Sequence, residues 1–185
     1  KVIDIRPNAR QEAESLGAKV AGFEIPAEHA VADGGYAKAL PDEWLVRERG
    51  GIEGVVADAD VIVLCALVPG ESAPMLVTES MVSGMRPGSV IIDVSIDQGG
   101  NCALTEPGAE TVKHGVFIYG IKNIPGSVPV HSTWLYANNM YYYVENLFKK
   151  GIATFDLEDD IVRTSLITLR GKILHKGTLK ALGEI

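Results

Sequence analysis

The sequence predicts a doubly wound α/β fold built on a parallel sheet. Three observations predict it. Short apolar, strand-like runs alternate with helix-like segments over most of the chain. The run Ser89-Val90-Ile91-Ile92-Asp93-Val94 is continuous rather than alternating, as in a parallel strand covered on both faces. It ends in Ile96-Asp97-Gln98-Gly99-Gly100, and open α/β sheets gather ligands just beyond the carboxyl ends of such strands.

The 185 residues suit one good-sized domain, or one domain with a tail, and 46% hydrophobic composition allows a substantial core. The net charge of -7, with no basic stripe to offset it, argues against a nucleic-acid partner. Cys65 and Cys102 lie in no C-x-x-C, which fits a reduced cytoplasmic protein better than a disulfide scaffold. No apolar run reaches the ~18 residues of a membrane span, and no signal peptide is visible. The chain starts KVIDI, without Met and already within an apolar run, a beginning that reads as cut.

Val2-Ile3-Asp4-Ile5 reads as a short buried strand, residues 8–16 as a helix stopped by Gly17, and residues 19–23 as a second strand. Residues 24–38 form a long loop holding Asp33-Gly34-Gly35-Tyr36, and long loops in compact domains are commonly functional. A helix over 42–56 is expected to break at Gly50-Gly51. The next strand, 60–64, leads into Ala66-Leu67-Val68-Pro69-Gly70, and a helix over 78–85 takes Thr78 as its N-cap. After the strand at 89–94 come a polar loop and a strand at 116–119, ending at Lys122-Asn123-Ile124-Pro125-Gly126. Residues 132–150 read as a long helix closed by Gly151. The remainder does not extend the alternation.

Several of these residues could carry chemistry. Asp4, at a strand end before a helix, could accept the hydroxyls of an adenosine ribose, or simply cap a helix. The G-x-G-x-x-G turn that should precede it by ~20 residues occurs nowhere in the chain. Either the fold is not dinucleotide-binding or the sequence begins at the fold's second strand. The abrupt start favours the latter. Asp97 could be a general acid or base, a polar ligand contact, or a carboxylate holding loop amides. Gln98 and Asn101 suit an amide or hydroxyl ligand and equally suit a closed turn. Asp93, inside the apolar run, reads as structural. Val68-Pro69-Gly70 offers backbone approach or a turn, and Asn123 is a neutral polar group at another strand end. Tyr141, Tyr142 and Tyr143 point in different directions on a helix, which favours core packing. The four histidines lack metal-ligand spacing, and neither Ser95 nor Ser132 lies in a nucleophile elbow.

Taken together, the motifs resemble the alanine dehydrogenase and pyridine nucleotide transhydrogenase family over almost the whole chain. The segments that carry the resemblance are Asp4-Ile5-Arg6, Gly34-Gly35-Tyr36-Ala37-Lys38, Ala66-Leu67-Val68-Pro69-Gly70, Ala73-Pro74, Met85-Arg86-Pro87-Gly88-Ser89-Val90-Ile91-Ile92-Asp93, Asp97-Gln98-Gly99-Gly100-Asn101 and Asn123-Ile124-Pro125-Gly126. The resemblance implies an NAD(H)-binding Rossmann-type domain over 1–151, without its first strand and Gly-rich loop. It implies a C-terminal tail over 152–185 that packs on a companion domain or a partner. By it Asp4 and Arg6 would serve the adenosine ribose, and Ala66, Leu67, Val68 and Pro69 would line the cofactor cleft. Asp97, Gln98 and Asn123 would approach the nicotinamide, and Tyr36 would sit on a flap over the bound nucleotide.

Two branches of the family compete. The Tyr36 loop and Gly100-Asn101-Cys102 look like the transhydrogenase alpha subunit. Asp97-Gln98-Gly99-Gly100 and Asn123-Ile124-Pro125-Gly126 look like alanine dehydrogenase, where the acid matching Asp97 is catalytic. The flap favours the transhydrogenase. The resemblance further implies an N-terminal catalytic companion domain, a homo-oligomer of at least two chains, and in the transhydrogenase branch an NADP(H)-binding and membrane subunit. A non-catalytic nucleotide-binding or interaction module is the alternative from outside the enzymes.

Overall fold

A computed structural model describes residues 1–149, 152–153 and 155–183. The chain divides into two compact units, Lys1–Ile124 and Pro125–Ile185.

The first unit opens with α1 (Pro7–Ser15), in which Pro7 takes the first helical position, where its missing N–H costs nothing. The runs expected as strands on either side reduce to one parallel bridge, Val2 to Val20. Val2, Asp4 and Ile5 are only half-buried and Ile3 is exposed. A run of four residues, one of them an aspartate, is too short to specify a ladder without a partner strand beside it. The loop that follows contains α2 (Ala27–Ala30) and a 3-10 turn at Asp33–Gly35, and is closed by a bridge from Val31 to Ala37.

The helix α3 (Asp42–Ala57) runs unbroken through Gly50-Gly51, against the expected interruption. Its continuity has a packing reason. A Cβ on Gly51 would lie 3.0 Å from the Phe23 Cβ and 3.2 Å from the Phe23 backbone nitrogen, so the bare glycine lets chain and helix touch. Trp44, near the start of α3, lies 6.1 Å from the Phe23 ring and 5.2 Å from His29, centroid to centroid.

Strands β1 (Val61–Leu64) and β2 (Val90–Asp93) flank α4 (Glu79–Ser83), whose N-cap is Thr78, its hydroxyl accepting the Met81 N–H. Strand β3 (Glu110–Lys113), which the sequence pattern does not announce, joins β4 (Val116–Tyr119) through the two-residue turn His114-Gly115, both at positive φ. The sheet order is β1-β2-β4-β3, parallel except for the antiparallel edge strand β3. Leu64, Ile91, Val116 and Ile118 turn to the buried face, where Ile52 and Val56 of α3 and Met81 and Val82 of α4 complete the core. The opposite face carries Val61, Val63, Phe117 and Tyr119, all exposed. Within the described residues the sheet is therefore packed on one face, not on both as the continuous apolar run in β2 predicts.

In the second unit, α5 (Ile124–Ser127) leads across the boundary into α6 (Pro129–Leu147), which starts and ends earlier than the sequence pattern indicates. The expected helix end at Lys150-Gly151 lies outside the described residues. Tyr141 and Tyr142 are exposed rather than core, and stack edge-to-face at 5.5 Å; the Tyr143 hydroxyl hydrogen-bonds Ser165. A small hairpin, β5 (Phe148–Lys149) with β6 (Ile152–Ala153), precedes α7 (Asp160–Ser165). Asp159 caps α7 by accepting the N–H groups of Ile161 and Val162. A second hairpin, β7 (Thr168–Leu169) with β8 (Lys172–Ile173), and α8 (Lys176–Ala181) follow. No helix among the described residues is long and apolar enough to cross a membrane.

Candidate functional site

The register of the sheet assembles the candidate site. Leu64 of β1 pairs with Asp93 of β2, and Ile92 of β2 with Tyr119 of β4. Three parallel strands thus end at one level, and the segments beyond them emerge side by side: Ala66-Leu67-Val68-Pro69 after β1, a 3-10 helix at Val94–Gln98 after β2, and Gly120 to Asn123 after β4. Such convergent carboxyl ends are where open α/β sheets bind ligands.

Two of the expected residues meet there directly. Asp97 is exposed at the 3-10 turn, and its Oδ2 accepts the backbone N–H of Asn123 at 3.1 Å. Asn123 holds φ +54°, a left-handed conformation that asparagine tolerates better than most residues. Gln98 is exposed, and its carbonyl accepts the Ala73 N–H at 2.9 Å, tying the loop after β1 to the turn after β2. Leu67 and Pro69 are exposed on that loop, while Ala66 and Val68 are half-buried.

Asp4, Arg6 and Tyr36 sit among other partners. The Asp4 carboxylate accepts three hydrogen bonds from Arg6: the backbone N–H at 2.8 Å, Nε at 3.1 Å and Nη2 at 2.8 Å. Burial pushes the Asp4 carboxyl upward, but the Arg6 hydrogen bonds and the charges of Arg6 and Arg10 outweigh it and hold it below the ordinary value. Asp4 is therefore an ionised acceptor at neutral pH. Tyr36 is 61% exposed, following the Asp33–Gly35 turn, and its carbonyl accepts the Ala32 N–H at 2.8 Å.

Beneath the strand ends lies a polar network that sequence reasoning leaves open or misses. Asp93 and Asn101 are fully buried. Asp93 Oδ2 accepts the N–H groups of Asn101 and Cys102, as the structural reading of Asp93 requires, while Oδ1 is buried without a hydrogen-bond partner among the described residues. The Asn101 amide bonds back to Ala66 and Pro74, so of its two readings the closed turn holds. Glu48, buried in α3, is inconspicuous in the sequence because it occupies one position of an otherwise ordinary polar helix. Burial first, then the nearby charge of Asp4, push its carboxyl up to about 6, with Arg49 opposing.

A parallel sheet with loops converging at its carboxyl edge and a clamped, ionised acid after the Val2 bridge defines a Rossmann-type α/β domain. The particular family follows from comparison. The model described as alanine dehydrogenase/PNT, C-terminal domain, matches residues 1–176, and the chain belongs to that family. It is 38% identical over 175 residues to an NAD(P) transhydrogenase subunit alpha polypeptide of Rhodospirillum rubrum, covering 93% of this chain and 46% of that protein. It is 34% identical over 187 residues to the alanine dehydrogenase of Bacillus subtilis, covering 95% and 48%. The crystal structure of a transhydrogenase from Sinorhizobium meliloti superposes with a TM-score of 0.63 at 28% identity, over 95% of this chain and 42% of that one. An L-alanine dehydrogenase structure gives the same TM-score and identity, over 98% and 45%. The chain spans about half the length of the curated relatives it matches.

Proposed function

We propose that this chain is the NAD(H)-binding domain of an oxidoreductase that transfers hydride at the nicotinamide, in the manner of a transhydrogenase alpha subunit. The observation that carries the reading is the convergence of the β1, β2 and β4 ends, with Asp97 and Asn123 joined across two of them. The residues fit the cofactor at two points: an ionised acceptor in Asp4 for the ribose hydroxyls, and polar groups at the strand ends for the nicotinamide amide. The pyrophosphate cradle G-x-G-x-x-G is not among these residues.

When bound, the nicotinamide supplies the hydride chemistry; the protein supplies orientation and electrostatics. Arg6 holds the Asp4 carboxylate toward the ribose. Ala66, Leu67, Val68 and Pro69 form one wall, and Gln98 pins that wall to the turn bearing Asp97. Asp97 faces the nicotinamide from the strand ends, where Asn123 fixes its orientation, and in the dehydrogenase reading below it would be the catalytic acid. Tyr36 covers the nucleotide; its exposure on a glycine-flanked loop favours the transhydrogenase branch. Residues 1–151 form the nucleotide domain, and 152–185 pack on a companion catalytic domain or a partner. The intact protein works in the cytoplasm as a homo-oligomer, beside an NADP(H)-binding and membrane subunit.

A second reading, an NAD-dependent alanine dehydrogenase converting L-alanine to pyruvate and ammonia, is favoured by the exposure of Asp97 at the strand ends, where a substrate can reach its carboxylate. One pair of assays decides between them. NADPH-dependent reduction of an NAD analogue by the intact protein with its NADP(H)-binding partner supports the first. Robust NADH-dependent amination of pyruvate overturns it in favour of the second. Failure of both, with NADH bound, leaves a non-catalytic nucleotide-binding module.

A further inference from the structure

The loop that follows β1 has Ala66 and Pro74 at its neck, and one side chain from outside the loop closes it. Asn101 Oδ1 accepts the Ala66 N–H at 3.0 Å, while Nδ2 donates to the Ala66 carbonyl at 3.0 Å and the Pro74 carbonyl at 2.8 Å. Both amide hydrogens and the amide oxygen are thus used. Beyond Met75, the Asn101 carbonyl accepts the N–H groups of Leu76 and Val77, at 2.9 Å each. Ser95 Oγ adds a bond to the Ala66 carbonyl at 3.1 Å.

Asn101 is itself placed by Asp93, whose Oδ2 accepts its N–H at 2.9 Å. Gly100 makes that approach possible, because a Cβ there would stand 2.8 Å from the same oxygen. A continuous relay therefore runs from the tip of β2 through Asp93 and Asn101 to both ends of the loop carrying Leu67, Val68 and Pro69. Asn101 is fully buried and does not line the surface that a ligand would touch.

We propose that Asn101 is a positioning residue for the nicotinamide cofactor: by clasping the neck of the loop it sets the placement of the Leu67, Val68 and Pro69 wall against the dinucleotide. This rests on the assignment of NAD(H) to the cleft. Space-filling alone does not account for the choice of residue. An apolar side chain of similar size would leave the Ala66 N–H and the Pro74 carbonyl without this partner in the interior, whereas the amide satisfies both ends at once.

The test is Asn101→Asp in the intact protein, read by NADH fluorescence titration from about pH 6 to pH 9. The change is nearly isosteric but turns a two-donor group into an oxygen facing two carbonyls. Burial beside carbonyl oxygens disfavours the charged carboxyl. At low pH the neutral acid donates one bond to the neck; on ionisation it repels both carbonyls. The expected result is a loss of NADH affinity of about tenfold, ~1.4 kcal/mol, at high pH, shrinking as pH falls, relative to the parent protein at each pH. A loss that is absent, or the same at every pH, overturns the proposal. If the parent protein itself binds no NADH, the cofactor assignment fails instead. Amide exchange in the parent protein gives an independent readout should the variant not fold. Slow exchange at Ala66 and Leu76, whose N–H groups Asn101 accepts, supports a pinned neck, and rates of an open loop overturn it.

Discussion

The Asp97 carboxylate accepts the backbone N–H of Asn123 at 3.1 Å, and this bond joins the turn beyond β2 to the loop beyond β4. It fixes one carboxylate oxygen and the left-handed Asn123 together, at the level where three parallel strands end. Asp97→Asn keeps an oxygen able to accept that N–H but removes the ionisable group. In the alanine dehydrogenase reading turnover is expected to fall by roughly 10²-fold or more, the usual worth of a general acid or base, while NADH affinity changes by less than about threefold; direct hydride transfer between two nicotinamides moves no proton, so in the transhydrogenase reading turnover should hold within about threefold. Steady-state kinetics beside a fluorescence titration check this. Equal losses in turnover and affinity would make Asp97 a binding residue only.

Asp4 and Arg6 form a pair, and in the proposed function its acid is the member that meets the cofactor. The three hydrogen bonds from Arg6 orient the carboxylate and hold it ionised, leaving one lone pair on Oδ2 for a ribose hydroxyl. Asp4→Ala removes that acceptor and releases the guanidinium. Calorimetry on the intact protein should show NADH affinity lowered at least tenfold or so, since hydrogen bonds to charged groups are worth ~1.5–3 kcal/mol. Affinity for NADPH should fall less, because a 2′-phosphate no longer meets a carboxylate and finds Arg6 instead. Unchanged NADH affinity would remove Asp4 from the site.

What the sequence discloses and what it hides follow the range of the interactions. The strand Val116–Tyr119 and the Thr78 cap are legible because each depends on residues within a few positions. Strand β3 is not: its ends are Glu110 and Lys113, and His114-Gly115 lacks the usual Asn-Gly or Asp-Gly signature of a tight hairpin. The runs around Val2 and Val20 look like strands by composition, but pairing is a tertiary matter, and they make one bridge. At the site, Asp97 and Asn123 can be named from their places after strands, whereas their bond cannot. Asn101 is visible as a polar residue after two glycines. Its role is not, because its partners lie 35 and 27 residues earlier.

The paired glycines of α3 give a test of packing against propensity. Nothing lies within 4 Å of a Cβ added at Gly50, so Gly50→Ala should stabilise the protein by up to ~1 kcal/mol through helix propensity. At Gly51 the same methyl meets the Phe23 Cβ at 3.0 Å and the Phe23 backbone at 3.2 Å, and neither is a free end that can swing aside. Gly51→Ala should therefore destabilise, by about 1–3 kcal/mol, despite the same propensity gain. Thermal melts of the two variants should move in opposite directions. A rise in both would mean that Phe23 yields easily and that Gly51 is not a packing requirement.

Glu48 makes stability depend on pH with a definite sign. Its carboxyl, ordinarily at 4.5, is raised to about 6 in the folded protein, chiefly by burial and then by the charge of Asp4. A raised carboxyl binds its proton more tightly folded than unfolded. Its contribution is fully present below about pH 4.5 and is lost as pH rises through about 6. Above that, the fold carries an ionised carboxylate away from water, at a cost of ~2 kcal/mol. Glu48→Gln keeps the size and polarity and cannot ionise. The variant should be more stable than the parent near pH 8 by up to ~2 kcal/mol, and the difference should close toward pH 4.5. Denaturant melts at the two pH values measure it directly. A variant less stable near pH 8 would mean that the Glu48 carboxylate gains more from its surroundings than burial takes away.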